Sequence, residues 1–505
     1  MRNGFLIFIF LLSSYTYLSS AQNCKKPNIV LFLVDDMGLM DTSLPFVIDT
    51  KGNPVRYPLN DFYKTPHMEA LAETGIRFSN FYAHSVCSPS RASIVTGQNS
   101  ARHKTTTWIH PQKNNRGAQG PTDWNWKGLH KKSVTLPRLL QQNGYATVHV
   151  GKAHFGPFKS EGADPLNLGF DINIGGSAIG RPGSYLGTEG FGHIAGDKIR
   201  AVPGLEKYHG KDIFLTEALT LEAKNEIDKA HKAGKPFFLH MSHYAVHAPF
   251  YSDPRFADNY KNSGKSKKAQ AFATLIEGID KSLGDLIAHL TNLGIAENTL
   301  LLFLGDNGSD APLPIKKNYS SATPLKGKKG NHWEGGLRVP FIASWAKVNA
   351  QNSLQNKLAL ARNSIQTQIA TIEDLFPTLC HISGTQIPKN HLVDGSDLTI
   401  QMQGNTNITR KKRFLNHFPH GKHRSSYFTS LVSDGWKVIY HYPTEKKEHY
   451  ELYDLVKDPF EGENLAASNP EKLKEMLVLV QEELQEKKAL YPEKEGLQLL
   501  VEIPN

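Results

Sequence analysis

Cysteine is scarce in this 505-residue chain: only Cys24, Cys87 and Cys380 occur. Three thiols form at most one disulfide, which excludes a cystine-stapled scaffold and leaves at least one thiol over. Long apolar runs are scarce too. The one that stands out, residues 4–12 (GFLIFIFLL), falls short of the roughly 20 residues that span a bilayer, so stable membrane insertion is not expected. No internal repeat or low-complexity tract is present. Hydrophobic residues make up 39% and charged residues 21%, which excludes both a disordered acidic chain and a polytopic membrane protein. Acidic residues are the smaller charged class, 48 against 58 Lys plus Arg, for a formal net charge of +10. That balance suits an anionic partner. No nucleic-acid recognition motif accompanies it, so nucleic acid is not expected to be that partner.

What is present begins with a leader. Residues 1–21 read as a secretory signal, with Arg2, the apolar core and the small residues Ser19-Ser20-Ala21 before the cleavage point. The expected location is outside the cytoplasm, periplasmic or secreted. The residues before Cys24 fit a lipoprotein cleavage site poorly, which favours a free export product.

Beyond the leader, residues 28–34 (NIVLFLV) form an unbroken apolar run that ends in Asp35-Asp36. Such a run reads as a strand buried on both faces of a largely parallel sheet. Similar runs at 146–150, 236–241 and 299–304 alternate with helical patterns at 134–142, 212–230 and 269–292. The alternation predicts an α/β fold: a large, mixed, mostly parallel sheet sandwiched by helices. In such sheets ligands bind beyond the carboxyl ends of the strands. Polar residues follow each run: Asp35-Asp36, Lys152 with His154, His243 with His247, and Asp306-Asn307. Four such ends on one edge would make a site. From residue 411 the pattern changes to short β-like runs (427–432, 436–442), a turn at 454–459 and a helix at 470–488. The expected division is a main domain over 22–410 and a smaller α+β subdomain with a short antiparallel sheet over 411–505.

The most specific segment is Cys87-Ser88-Pro89-Ser90-Arg91, continuing to Thr96-Gly97. Pro89 suits the first turn of a helix and Gly97 its end, which would put Cys87 at a helix N-terminus. An isolated cysteine is usually a plain buried thiol, and a thiolate nucleophile is the second option. Neither accounts for the Pro and Arg at fixed offsets. The segment resembles the C-x-P-x-R…T-G pattern of the formylglycine-dependent (type I) sulfatases. Further segments follow in that family's order: residues 151–156 (GKAHFG), 244–249 (YAVHAP), 305–308 (GDNG), 327–340 (GKKGNHWEGGLRVP) and 450–465 (YELYDLVKDPFEGENL). Ala153 departs from the pattern at a place where an aromatic is common.

The resemblance implies an alkaline-phosphatase-like fold and a sulfuric ester hydrolase. It implies that a maturation enzyme oxidises Cys87 to formylglycine (3-oxoalanine), whose hydrate supplies the nucleophilic oxygen. Asp35, Asp36, Asp306 and Asn307 offer only oxygen, the hard donor set of Ca²⁺ or Mg²⁺ and not of Zn²⁺. The resemblance selects one Ca²⁺ over Mg²⁺, with an oxygen of modified Cys87 in its shell. Charge that builds on the leaving oxygen calls for cationic donors around the sulfate. By resemblance Arg91 holds the hydrate and metal shell, Lys152 and Lys329 clamp sulfate, His154 helps expel it, and His247 is the leaving-group acid; Lys326 and Lys328 crowd Lys329, which is chosen among the three from its place before Gly330. Residues 311–338 carry six Lys/Arg against Glu334 alone, and residues 410–449 carry nine against three acids. A basic rim of that kind would steer a polyanion, so a sulfated glycan is the expected substrate. His417 and His420 are nominated as further substrate contacts. Phosphodiester or phosphonate monoester hydrolysis on the same scaffold is the alternative chemistry, and a non-catalytic sulfated-glycan-binding protein the alternative class.

Overall fold

The computed structural model describes residues 26–314, 321–421, 423–443 and 449–504. The expected leader, Cys24 with any pairing it makes to Cys380, and the rim residues Lys316 and Lys317 lie outside the described residues. No helix among the described residues is long and apolar enough to cross a membrane.

The main sheet has eight strands: β1 (Asn28–Val34), β2 (Ile76–Phe78), β4 (Ala146–Gly151), β5 (Ile172–Ile174), β6 (Phe237–His243), β7 (Thr299–Gly305), β8 (Phe341–Trp345) and β9 (Ser364–Gln366). A short parallel pair, β3 (Phe81–Tyr82) with β10 (Ala370–Thr371), lies apart from it. The eight strands are ordered β5-β4-β6-β1-β7-β8-β2-β9. Only β8 runs antiparallel to its neighbours; the other pairs are parallel. The mixed, mostly parallel sheet expected from the apolar runs is therefore present.

Strand β1 shows why its sequence is apolar at nearly every position. Val30, Phe32 and Val34 enter one core with Leu219, Phe272 and Ile276. These come from the helices Leu215–Lys232 and Lys267–Asn292. Ile29, Leu31 and Leu33 enter the other core with Ile94, Leu140 and Phe376. These come from the helices Cys87–Thr96, Leu136–Gln142 and Leu375–Ser383. With helices on both faces neither set of alternate side chains meets water, and the period-2 pattern of a half-exposed strand disappears. The helix Lys267–Asn292 keeps the helical period instead, burying Phe272, Ile276, Ile279, Leu283, Leu286 and Leu290 along one stripe.

The C-terminal strands β11 (Arg413–Phe418), β12 (Phe428–Ser433), β13 (Trp436–His441) and β14 (Tyr450–Asp454) form an antiparallel meander. The helix Pro470–Glu486 covers one face through Leu473, Leu477, Val480 and Leu484 against Leu431, Val438 and Leu452. The other face packs apolar side chains against the rest of the chain, Phe414 and Val432 with Tyr82 and Leu337, and Phe428 and Ile439 with Val86, around a buried cluster of charges. Lys437, with no exposed surface, lies 2.9 Å from Glu334 and 2.8 Å from Glu461, and Tyr82 Oη donates to Glu334 at 2.8 Å. Two residues expected in the basic rim, Lys437 and Arg338, are thus buried structural ions.

Two consequences can be measured. Removing one partner of a buried ion cluster leaves the others uncompensated, at about 3–5 kcal/mol. Lys437→Met is expected to lose that much stability in chemical denaturation, and an unchanged midpoint would rule out this clasp. The second concerns Glu373, whose Oε1 accepts from Asn99 Nδ2 at 2.6 Å. Burial, with Asp374 beside it, raises its carboxyl from 4.5 to about 7. The folded state then binds a proton that the unfolded chain has released. Its stabilising contribution is full below about pH 4.5 and declines as pH rises through about 7. Stability should fall over that window by up to about 1.4 kcal/mol per pH unit, and Glu373→Gln should flatten the slope.

Candidate active site

Strands β4, β6, β1 and β7 are adjacent, and their carboxyl ends lie level: Gly151 is opposite Ser242, and Val34 is opposite both His243 and Gly305. The residues that leave these ends are tied to one another. Lys152 N donates to Ser242 O at 2.7 Å, and Asp306 N donates to Val34 O at 3.1 Å. Asp36 N donates to Asp306 Oδ1 at 3.0 Å. Asp36 (φ 61°) and His154 (φ 59°) take the left-handed conformation as the chain turns out of β1 and beyond β4.

Three carboxylates and three cations meet there, all deeply buried. Asp35, Asp36 and Asp306 each present an oxygen within 4.8 Å of the others. Lys152 Nζ lies 2.7 and 2.8 Å from the Asp35 oxygens. Lys329 Nζ lies 2.6 Å from Asp36 Oδ1 and 2.7 Å from Oδ2. Arg91, wholly buried, donates from Nε to Asp306 at 2.8 Å and from Nη1 to Lys152 O at 2.8 Å and Ser242 Oγ at 2.7 Å. Burial pushes the Asp35 carboxyl well above the usual range against the pull of Lys152, and Asp306 and Asp36 push it further. Asp36 goes the other way: burial opposes its charge, but His247 and Lys329 hold it well below the usual range. Burial works against Lys329 as well, yet Asp36 raises its ammonium above its ordinary value.

The helix Cys87–Thr96 delivers Cys87 and Arg91 from one turn, and every residue in it is buried. Gly97 closes it at φ 68°, where a Cβ would stand 2.8 Å from the Phe376 ring. Cys87 Sγ lies 3.3 Å from His154 Nδ1. His154 Nε2 is 2.7 Å from Ile109 O, which can only accept. Nε2 therefore carries the proton and Nδ1 faces the sulfur as an acceptor. Burial, with Lys152 nearby, holds this imidazole well below its ordinary pKa and so neutral.

His247 stands on the far side of Asp36, its Nε2 3.5 Å from Oδ2. Its Nδ1 donates to Ala248 O at 2.9 Å, and its side chain keeps 17% exposure. Burial lowers its pKa well below the ordinary value; Asp36 opposes that and Lys329 adds to it. Tyr185 Oη, from the segment 177–211 where the sequence showed no motif, donates to Tyr244 O at 2.9 Å and His247 O at 2.7 Å.

Sequence reasoning also missed Ser242 and Ile109. Ser88 Oγ accepts from Ile109 N at 3.0 Å, which fastens the 104–132 loop beside the cysteine helix. Among the three crowded lysines, Lys329 alone reaches the acidic cluster. Lys326 Nζ lies 3.1 Å from Tyr453 Oη, and Lys328 Nζ lies 3.9 Å from Asp310. Three histidines must be corrected. His243 points into the helix-covered core, with Nε2 2.9 Å from Ser282 Oγ. His417, 1% exposed, spends its ring nitrogens on Thr429 Oγ1 and Leu490 O, both at 2.7 Å. His420, also 1% exposed, spends its own on Thr106 Oγ1 at 2.8 Å and Arg116 O at 2.9 Å. With both nitrogens of each ring occupied and the rings buried, neither His417 nor His420 offers an atom to a substrate.

The donor set fits a hard divalent cation. Asp35, Asp36 and Asp306 supply carboxylate oxygens, and Asn307 Oδ1 is buried with no hydrogen-bond partner while its Nδ2 donates to Asp36 at 3.0 Å. No nitrogen or sulfur ligand stands among these four, as Ca²⁺ or Mg²⁺ requires.

Residues 27–385 match the sulfatase family, and residues 329–489 match the C-terminal part of N-sulphoglucosamine sulphohydrolase. Over 393 residues, 74% of this chain, the sequence is 30% identical to the N-acetylgalactosamine-6-sulfatases of Mus musculus and Rattus norvegicus. It spans 66% and 65% of those relatives, just under two thirds. The crystal structure of Ps i-CgsB in complex with k-i-k-neocarrahexaose has a TM-score of 0.70 at 23% identity. The alignment covers 93% of this chain and 96% of that one, a likeness of fold. With the family match running from β1 past the last strand of the main sheet, and with the strand-end residues in one cluster, this chain belongs to the sulfatase family.

Proposed function

We propose that this chain is a sulfuric ester hydrolase that removes sulfate from a sulfated carbohydrate, a polysaccharide or its oligosaccharides. Cys87 would act as formylglycine, made by a maturation enzyme, beside one Ca²⁺ held by Asp35, Asp36, Asp306, Asn307 and an oxygen of modified Cys87. The observation that carries this reading is the position of Cys87. Its sulfur faces the His154 acceptor at 3.3 Å at the edge of a buried cluster of carboxylates, Arg91, Lys152 and Lys329. The divalent ion would lower the pKa of a hydroxyl on modified Cys87 and make it nucleophilic near neutral pH.

The chain's own residues divide the remaining work. Arg91 is a positioning residue: it fixes Asp306 and the Lys152 backbone, and with them the shape of the donor set. Lys152 and Lys329 bring two ammonium groups to the place where a sulfate's oxygens need donors. His154 Nδ1 is free to take a proton from the Cys87 side as sulfate departs, and Ile109 O keeps its tautomer fixed. His247 is exposed to solvent at 17% and turns Nε2 toward Asp36 while Ala248 O holds Nδ1, so a proton taken up on Nε2 beside that carboxylate is the one it would deliver to the leaving oxygen. Of the expected basic rim, Lys328 and Arg424 are partly exposed, both near Asp310, and Arg424 also donates to Lys329 O at 3.3 Å, which keeps the pair beside the cluster. The carbohydrate substrates in the relatives' names point the same way. The leader-like residues 1–21 support export, periplasmic or secreted. We read residues 22–410 as the catalytic domain and 411–505 as the subdomain that closes over it.

Peptide mass spectrometry of active enzyme should find an aldehyde in place of the Cys87 thiol, and Cys87→Ala should abolish turnover. A fully active enzyme with an unmodified thiol would overturn the mechanism. Aryl sulfates should be turned over in preference to aryl phosphates and phosphonates. Chelation should remove activity that Ca²⁺ restores. His247→Ala should slow a sugar sulfate by about 10²–10⁴-fold, the usual worth of a general acid, and an aryl sulfate with a good leaving group by much less. Equal losses on both substrates would exclude His247 as the leaving-group acid.

A further inference from the structure

A second cluster of metal-ligating side chains lies outside the strand-end site, where the 327–340 segment meets the C-terminal sheet. His332 follows Lys329 by three residues, His441 ends β13, and Glu451 is in β14. His441 Nε2 is 2.7 Å from Glu451 Oε1, and His332 Nε2 is 3.6 Å from the same oxygen. One ligand atom from each residue lies within 4.8 Å of the other two. The two imidazoles meet edge to face, with centroids 4.7 Å apart. Both histidines are buried, at 2% and 3% exposure, while the Glu451 side chain keeps 13% and gives the cluster an approach from solvent.

On His332 and Glu451 the atoms turned away from this meeting point are held in place. His332 Nδ1 is 3.1 Å from Ser425 Oγ. Glu451 Oε2 accepts from Trp333 Nε1 at 2.9 Å and from Tyr453 Oη at 2.5 Å. Such outer partners fix ligand orientation in metal sites. Tetrahedral bonds of about 2.0–2.2 Å place ligand atoms roughly 3.3–3.6 Å apart, so the His332–Glu451 separation of 3.6 Å already fits and the His441–Glu451 pair at 2.7 Å would open by about 0.6–0.9 Å, within reach of a side-chain rotation. Two imidazoles and one carboxylate with a fourth position toward solvent form a borderline nitrogen–oxygen set, unlike the all-oxygen set at the strand ends.

We propose that His332, His441 and Glu451 form a second metal site that takes Zn²⁺ or a similar borderline divalent ion. All three residues are in place before any ion binds, and none belongs to the strand-end donor set. An ion here would cross-link β13 and β14 to the segment that carries Lys329, and so fasten the C-terminal sheet against the wall of the candidate active site. The role is structural and does not depend on the reaction proposed above.

The test is a titration of the full-length enzyme with Zn²⁺ in saturating Ca²⁺, followed by calorimetry, with Co²⁺ absorption as a second probe. One Zn²⁺ per chain is expected to bind and raise the melting temperature, and Co²⁺ should give the intense visible bands of a four-coordinate site. His441→Ala and the more conservative Glu451→Gln should each weaken binding at least tenfold. Asp306→Asn, which alters the oxygen site, should leave it unchanged. Melting curves without zinc will establish that each variant is folded, and Glu451→Gln decides the matter if His441→Ala is not. Absence of zinc binding in Ca²⁺, binding equal in both cluster variants and the parent, or binding lost in Asp306→Asn would overturn the assignment.

Discussion

The rest of the structure depends on the burial of Arg91. A guanidinium removed from water must find charge and hydrogen-bond partners inside the protein. Arg91 finds them at three strand ends: the Asp306 carboxylate beyond β7, the Lys152 carbonyl beyond β4, and the Ser242 hydroxyl in β6. Because Arg91 rides on the same helix as Cys87, one turn along, those contacts also fix where the cysteine sulfur sits relative to the sheet edge. The surrounding sheet makes this possible. Four adjacent parallel strands end level, so the residues that follow them have nowhere to project except into a common space.

Electrostatic constraint then orders that space. Three carboxylates cannot all stay ionised and buried without positive charge, and Lys152, Lys329 and Arg91 supply it within 3 Å. The balance is uneven by position. Asp36, with His247 and Lys329 beside it, is held ionised against its burial, while burial raises Asp35 and the neighbouring Asp306 and Asp36 add to that rise. A divalent cation among the same oxygens would relieve that crowding, which is the physical sense of placing a metal there. Lys329 reaches the cluster from a segment anchored on the opposite side by the Lys437 ion cluster and the C-terminal sheet. The small sheet is therefore one wall of the site, and its stability bears on the position of a cation that faces substrate in the proposed mechanism.

Much of this was legible in the chain itself, for identifiable reasons. A strand covered on both faces must be apolar throughout, so residues 28–34 are recognisable, and β1 has those bounds. Residues 146–150, 236–241 and 299–304 each fall within one residue of the observed strand starts for the same reason. Helix ends were legible where a glycine had to turn, as at Gly97. The histidines were the failure. His243, His417 and His420 have the same chemistry as His154 and His247, and their neighbours in sequence give no warning. What separates them is which partner each ring nitrogen meets across the fold: a serine in the helix Lys267–Asn292, a backbone carbonyl near residue 490, or an open cluster of acids. The basic rim failed in part for a related reason, since a lysine in a charged stretch can point to solvent or, as Lys437 does, into an ion cluster with no exposure at all.

The sequence by itself determined the periodicities that build the layered α/β body, the order of the motifs and the chemical types that leave the strand ends. Those follow from local propensity and from side chains that carry their charge wherever they go. Only the tertiary structure decided the pairings. It chose Lys329 over Lys326 and Lys328, set the tautomer of His154 through a carbonyl of a loop without any motif, and sent Lys437 inward. It also brought His332 to His441 and Glu451 across more than 100 residues of chain. These are contacts between segments distant in sequence, made where burial forces each polar group to find a partner, and no local pattern encodes which partner that will be.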